Sequence, residues 1–202
     1  MAMAVLLLRF LASTEALSFG AIPIAFSLIA ITSIIIGNLL ALLQENLKRI
    51  LAYSSIAHMG YLLIAVVASY VTIGGISVEA ISFYLVAYVV MSLGAFSILS
   101  VVSSSEHEIN QVADYQGLFW RSPWLATMLI AMLLSLAGIP LTVGFIGKFY
   151  IFFAGVESSL WVLLAALVIG SGIGLYYYLR IVYIIIQPLR TQDEINFPVA
   201  GI

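Results

Sequence analysis

No cysteine occurs among the 202 residues. That excludes disulfides, thiolate metal sites and iron–sulfur ligation from this chain, so any electron-transfer centre that works with it belongs to another polypeptide. Charge is nearly as scarce, with 8% of residues Asp, Glu, Lys or Arg, against about 25% in soluble domains. The net charge of -2 and the lack of any basic run argue against nucleic acid or another strongly charged partner. Two histidines are present, His58 and His107. No metal-ligand spacing, nucleotide-binding loop or nucleophile–base arrangement occurs, so covalent catalysis, a bound cofactor and a metal site are not expected on this chain.

What the sequence has is apolar length. Hydrophobic residues make up 64% of it and the mean hydropathy is +1.20. The runs are long, uncharged and apolar on all sides, with no strand-like alternation, and a backbone crossing a membrane must satisfy its own hydrogen bonds. The fold class expected is therefore all-α, a polytopic transmembrane helix bundle. The spans expected are about 17–43, 47–70, 78–102, 124–154 (broken near 138–140) and 158–186, followed by a polar tail at 187–202. Residues 1–12 form a partial span, too short for a hydrocarbon core that needs about 20 residues. They carry no basic region of the signal-peptide kind, and Arg9 interrupts them. An element begun before Met1 is the expectation. If spans alternate, Lys48, Arg49, Arg121, Arg180 and Arg190 gather on one side, which the positive-inside bias makes cytoplasmic, tail included.

Lys148 is the most informative residue. It lies inside the apolar run LSLAGIPLTVGFIGKFYIFF, where an ammonium costs about 2.5 to 3.5 kcal/mol on insertion scales, so such residues usually face a bundle interior or a hydrated path. A lysine able to exchange protons there suits a proton relay. The alternative is snorkelling to the interface, about 9 Å away along the helix by its rise per residue. Gly138 and Pro140, close upstream, break the helix, because proline lacks the N–H donor and clashes with the preceding turn. Backbone groups freed at membrane depth must be satisfied by protein or water, and broken helices of this kind recur at ion-handling sites. A structural kink is the plainer reading of the same residues.

His58 shares one helix face with Ser54 and Tyr61, at spacings of i, i+4 and i+7. An imidazole can pass a proton along a hydrogen-bonded chain, or serve as an interhelical hydrogen bonder. Tyr84, Tyr88 and Ser92 share another face, either a continuation of a polar track or interhelical glue. Lys48 and Arg49 taken alone read as topology anchors. Gly170, Gly172 and Gly174 read as a small-residue packing seam.

The segments that carry these residues form a recognisable set. NLKRILAYSSIAHMGYLLIA resembles the signature shared by the antiporter-like membrane subunits of respiratory complex I and of the multisubunit cation/proton antiporters. LSLAGIPLTVGFIGKFY and GLYYYLRIVY look most like the subunit N family of bacterial NADH:quinone oxidoreductase. The resemblance implies an antiporter-like fold of two inverted repeats, with this chain covering roughly the eighth to the thirteenth of fourteen helices. It would hold the second repeat with its broken helix, truncated at both ends. The family's glutamate on the fifth helix and lysine on the seventh are absent, and its eighth-helix lysine would fall just before Met1. By resemblance Lys148 is the lysine of the broken twelfth helix in the proton exit path, Lys48 is the basic residue of the KR-x-LAYSS motif, and His58 is a polar position that follows it. The implied activity is proton translocation coupled to electron transfer from NADH to quinone. NADH, FMN, iron–sulfur clusters and quinone would bind other subunits, and the chain would sit among the other membrane subunits in the bacterial inner membrane. A subunit of a multisubunit sodium/proton antiporter is the alternative.

Overall fold

The computed structural model describes residues 21–71, 75–103 and 110–188. The partial span 1–12, Arg9, His107, Arg190 and the tail from 189 onward lie outside the described residues. The helices are α1 (Ala21–Leu42), α2 (Leu47–Val71), α3 (Gly75–Val102), the short α4 (Leu118–Arg121), α5 (Pro123–Ala137), α6 (Val143–Glu157) and α7 (Trp161–Ile186). Among the described residues the only β feature is an isolated bridge between Asn46 and Gln111. Helices α1, α2, α3 and α7 are each long and apolar enough to cross a membrane. Their hydroxyls fit that setting because they fold back onto their own helix. Ser27 Oγ donates to the Pro23 carbonyl at 2.8 Å and Thr32 Oγ1 to that of Leu28 at 2.8 Å, which satisfies these two donors in an apolar solvent.

Helices α1 and α2 pack backbone to backbone. A Cβ added at Gly37 would stand 2.8 Å from the Ala57 nitrogen, and one at Gly60 would stand 2.9 Å from the Ala30 carbonyl oxygen. Small residues permit such an approach where hydrophobic burial supplies no drive between helices. Helix α7 closes on the pair through Gly170 and Gly174, whose added Cβ atoms would meet the Asn38 amide. Gly172 does not belong to this seam, since a Cβ there would meet open space. Two residues turn an α-helix by about 200°, which puts Gly172 on the far side.

The stretch 124–154 is two helices rather than one. Helix α5 stops at Ala137 because Gly138 takes the left-handed conformation (φ 81°, ψ 44°), and its N–H turns back to the Leu134 and Ser135 carbonyls. Gly138 ends the helix, and Pro140, which has no N–H to offer the Leu136 carbonyl four residues back, keeps it from continuing. Pro140 is exposed in the turn that follows, a usual place for proline after a helix C-cap. Leu141 also has a positive φ of 77°. Thr142 then caps α6 by accepting from the Phe145 N–H, and the Gly144 N–H donates to Ser135 Oγ at 3.1 Å. Each half is about 22 Å long by its rise per residue, short of the roughly 30 Å of a hydrocarbon core. They run end to end, since Met132 of α5 meets Gly94 of α3 while Gly147 of α6 meets Tyr84, further back along the same helix.

At the end where α2 begins, the Leu47 N–H donates to the Asn110 carbonyl at 3.0 Å and the Val112 N–H to that of Glu45 at 2.8 Å. Trp120 Nε1 donates to the Ile186 carbonyl at 3.0 Å and Gln116 Nε2 to that of Pro188 at 3.0 Å. These bonds fasten the connection after α3 to the start of α2 and the end of α7. The apolar core falls into two clusters. One lies toward this end and includes Leu47, Leu99, Leu133 and Ile185. The other includes Ile34, Ile64, Ile151 and Leu163. Among the described residues the buried polar ones are Asn38, Ser54, His58, Ser135, Lys148 and, at the C-cap of α6, Ser158.

Candidate functional site

Helix breakage creates the first element of the site. A helix leaves its last carbonyls without intrahelical donors, and its dipole makes that end negative. At the end of α5 the Leu136 and Ala137 carbonyls are in this position, and Lys148 Nζ donates to both, at 3.2 and 2.9 Å. Lys148 is 8% exposed. It leaves α6 one turn after Gly144 and folds back over Gly138, where a Cβ would stand 3.1 Å from Nζ. Glycine at 138 therefore supplies both the conformation that frees the carbonyls and the space for the amine. Snorkelling, the alternative that the sequence left open, does not describe this side chain, which reaches inward to the break.

The second element comes from α2. Nζ stands 5.4 Å from the centroid of the Tyr61 ring, within the range at which a ring face attracts a cation. His58 lies one turn earlier and is 3% exposed. Its ring meets that of Tyr61 edge-on at 5.6 Å and that of Tyr88 at 4.9 Å, and its Nδ1 shares a 2.6 Å hydrogen bond with the Tyr84 hydroxyl. Ring nitrogens accept or donate according to tautomer, so this bond can carry a proton either way. Ser54, buried one turn before His58, accepts from the Tyr178 hydroxyl at 2.9 Å and donates to the Leu51 carbonyl at 2.9 Å.

Lys148, His58, Tyr61, Tyr84 and Tyr88 thus come together, while Ser54 bonds to Tyr178, whose ring meets that of Tyr177. Lys48 does not join them. It is half-buried in the first turn of α2, about 15 Å from His58 by helical rise. Ser92 does not extend the track either, because its hydroxyl folds back to the Val89 carbonyl at 3.2 Å. Four site residues escape sequence reasoning: Asn38, Ser135, Tyr177 and Tyr178. Asn38 Nδ2 donates to the Tyr61 hydroxyl at 3.1 Å, and the Tyr177 hydroxyl donates to Asn38 Oδ1 at 3.2 Å. A lone amide in the apolar run IIIGNLLAL is the signal that could have found Asn38, though not its role. Beside the break, a cavity of about 400 Å³ is lined by Ala137, Gly138, Ile139, Pro140, Ser171 and Gly172, among others. Among the described residues no group of three His, Cys, Asp or Glu is placed to hold a metal ion.

Several known proteins are similar to this chain in sequence or in fold. Residues 1–174 match the family described as NADH:quinone oxidoreductase/Mrp antiporter, TM. NADH-quinone oxidoreductase subunit N of Methylococcus capsulatus is 54% identical over 197 residues, covering 97% of this chain and 40% of the relative. Its counterpart in Ectopseudomonas mendocina is 55% identical over 177 residues, covering 87% and 35%. The chain therefore spans well under half the length of these relatives. Among solved structures, respiratory complex I from Thermus thermophilus with bound aureothin superposes with a TM-score of 0.72 at 33% identity, over 83% of this chain and 37% of that one. The Mrp complex of Dietzia sp. superposes with a TM-score of 0.75 at 24% identity, over 84% and 31%, a likeness of fold. With the family match covering most of its length, the chain belongs to the NADH:quinone oxidoreductase/Mrp antiporter family of membrane proteins.

Proposed function

We propose that this chain is the part of a proton-translocating membrane subunit of NADH:quinone oxidoreductase that holds its mid-membrane lysine, working among the other membrane subunits of the complex in a bacterial inner membrane. NADH, FMN, iron–sulfur clusters and quinone belong to other subunits in this reading, and this chain handles protons alone. The observation that carries it is Lys148, whose buried amine rests on the two carbonyls freed at Gly138. Those carbonyls, the helix dipole and the Tyr61 ring favour the ammonium, while burial opposes it. With these influences opposed, a neighbouring charge can decide whether the proton stays. His58, whose ring meets that of Tyr61, is a group able to take and return a proton, and its contacts with Tyr84 and Tyr88 extend the route. Lys48 stands at the rim, where it would act through its charge on proton entry.

The multisubunit sodium/proton antiporter remains the second reading. It rests on shared fold, whereas relatives above half identity are named for the dehydrogenase. The experiment is Lys148→Ala in the full-length subunit within the assembled complex, with NADH oxidation and proton uptake measured together in inverted membrane vesicles. The expected result is proton uptake per NADH clearly below wild type at normal assembly. An unchanged ratio removes Lys148 from the pathway, and sodium-driven proton exchange without NADH oxidation moves the protein to the antiporter class.

A further inference from the structure

We propose that Asn38 is a proton-blocking link, a positioning residue that keeps Lys148 from exchanging protons with the membrane face at the Arg180 end of α7. The inference rests on the proton-handling role proposed for Lys148. A ladder of polar groups leads from that face to the middle of the bundle. Gln44, Tyr177 and Arg180 line a small void of about 10 Å³, close to the size one water needs. From there the Tyr177 hydroxyl bonds to Asn38, Asn38 bonds to Tyr61, and the Tyr61 ring lies under the Lys148 amine. The ring contact itself passes no proton, so the hydrogen-bonded ladder ends at the Tyr61 hydroxyl beside the amine; if every rung up to it could relay a proton, the neighbourhood of Lys148 would be short-circuited to one side.

Asn38 is the rung that cannot. A hydroxyl accepts a proton on a lone pair and releases its own, ending as it began. An amide accepts only on oxygen and releases only from nitrogen. A proton passed from Tyr177 to Oδ1, with one lost from Nδ2 to Tyr61, leaves the high-energy imidic acid, which has to revert before another can pass. The orientation of the amide is set by chemistry rather than by choice. The Ile34 carbonyl lies 2.8 Å from the atom that also faces Tyr61, and a carbonyl oxygen requires a donor there. The nitrogen therefore faces Tyr61, and the oxygen accepts from Tyr177. All of the amide's contacts are enclosed, for Asn38 is 1% exposed. The seam glycines hold it in place, since a Cβ at Gly170 would stand 3.0 Å from Nδ2 and one at Gly174 would stand 3.5 Å from Oδ1. Because Tyr61 receives this bond, its own proton must point elsewhere, which fixes the polarity of the hydroxyl.

The test places Asn38→Asp, Asn38→Ser and Asn38→Leu in the full-length subunit of the assembled complex. Passive proton conductance of inverted vesicles is read from the decay of an imposed pH gradient without NADH. A carboxyl or a hydroxyl can both take and release a proton, whereas leucine can do neither. The expected result is a several-fold faster decay for the Asp and Ser variants and wild-type decay for Leu, with Lys148→Ala abolishing the extra leak of Asn38→Asp. Should Asn38→Asp fail to assemble, Asn38→Ser carries the same expectation. Wild-type decay in the assembled relay variants, or equal leak through Asn38→Leu, overturns the proposal. This readout is independent of pumping, so its failure beside a pumping defect in Lys148→Ala leaves the role of Lys148 standing.

Discussion

Replacing Gly138 by alanine perturbs the break in two ways that can be separated. The backbone there has a φ of 81°, a conformation that costs an L-residue with a Cβ roughly 1–2 kcal/mol. The new methyl would also stand 3.0 Å from Lys148 Cδ and 3.1 Å from Nζ, so the lysine has to yield by a few tenths of an ångström. Its bonds to Leu136 and Ala137 are already 3.2 and 2.9 Å long. Losing one of them removes a charge-assisted hydrogen bond of about 1.5–3 kcal/mol. The loss expected for Gly138→Ala therefore lies between about 1 kcal/mol, if the lysine moves freely, and about 5 kcal/mol, if one bond breaks. Asparagine tolerates the left-handed conformation far better than alanine but carries the same Cβ. Gly138→Asn should thus recover the roughly 1–2 kcal/mol of backbone strain while keeping the displaced amine, so that both variants pump fewer protons per NADH than wild type. Thermal inactivation of the assembled complex and proton uptake in inverted vesicles measure the two effects. Wild-type values for Gly138→Ala in both would refute the assignment of the break to Gly138.

Gly144→Ala puts a methyl into the Ser135 carbonyl, a backbone collision that only separation of α5 from α6 relieves. Sharply reduced assembly on native gels is expected, and normal assembly would show that the halves do not meet as described. Tyr84→Phe removes the partner of His58 Nδ1, a loss of about 1 kcal/mol for a typical hydrogen bond. A slower proton uptake with unchanged electron transfer under uncoupler is expected, and unchanged uptake argues against the His58–Tyr84 bond as part of the route. Tyr115, in the connection outside the spans, has its phenol pushed up from 10.0 to about 12 by burial and by the neighbouring Asp114 carboxylate. A raised acid binds more protons folded than unfolded, so its stabilisation is complete below pH 10 and is lost as pH rises toward about 12. Alkaline denaturation should be steeper in the protein with Tyr115 than in Tyr115→Phe, and identical profiles would contradict the burial of the phenol.

The sequence was most readable where chemistry and helical spacing coincide. Ser54, His58 and Tyr61 fall on one face by arithmetic alone, and a lysine in an apolar run beside Gly and Pro announces a break. Asn38, Tyr177 and Tyr178 were hidden because their roles depend on which face α1 and α7 turn to α2. Apolar residues surround each of those helices, so no amphipathic stripe reveals the inward side. The break shows how the two residues divide the work: the left-handed turn that Gly138 permits comes first in the chain, and Pro140 follows where no N–H can resume the ladder. Lys48 shows the limit of motif transfer, since a shared signature places it on the same helix as His58 but not in the same cluster.

The partners of the Lys148 amine are peptide carbonyls, and that has a consequence for inheritance. No substitution can delete a main-chain oxygen, so the residues named Leu136 and Ala137 are free to vary so long as their size suits the packing. What must be kept is the geometry that bares those oxygens. Comparison among distant relatives should therefore look for a helix that stops short of a lysine, since the neighbours that hold the charge leave no fingerprint of their own in side-chain identity.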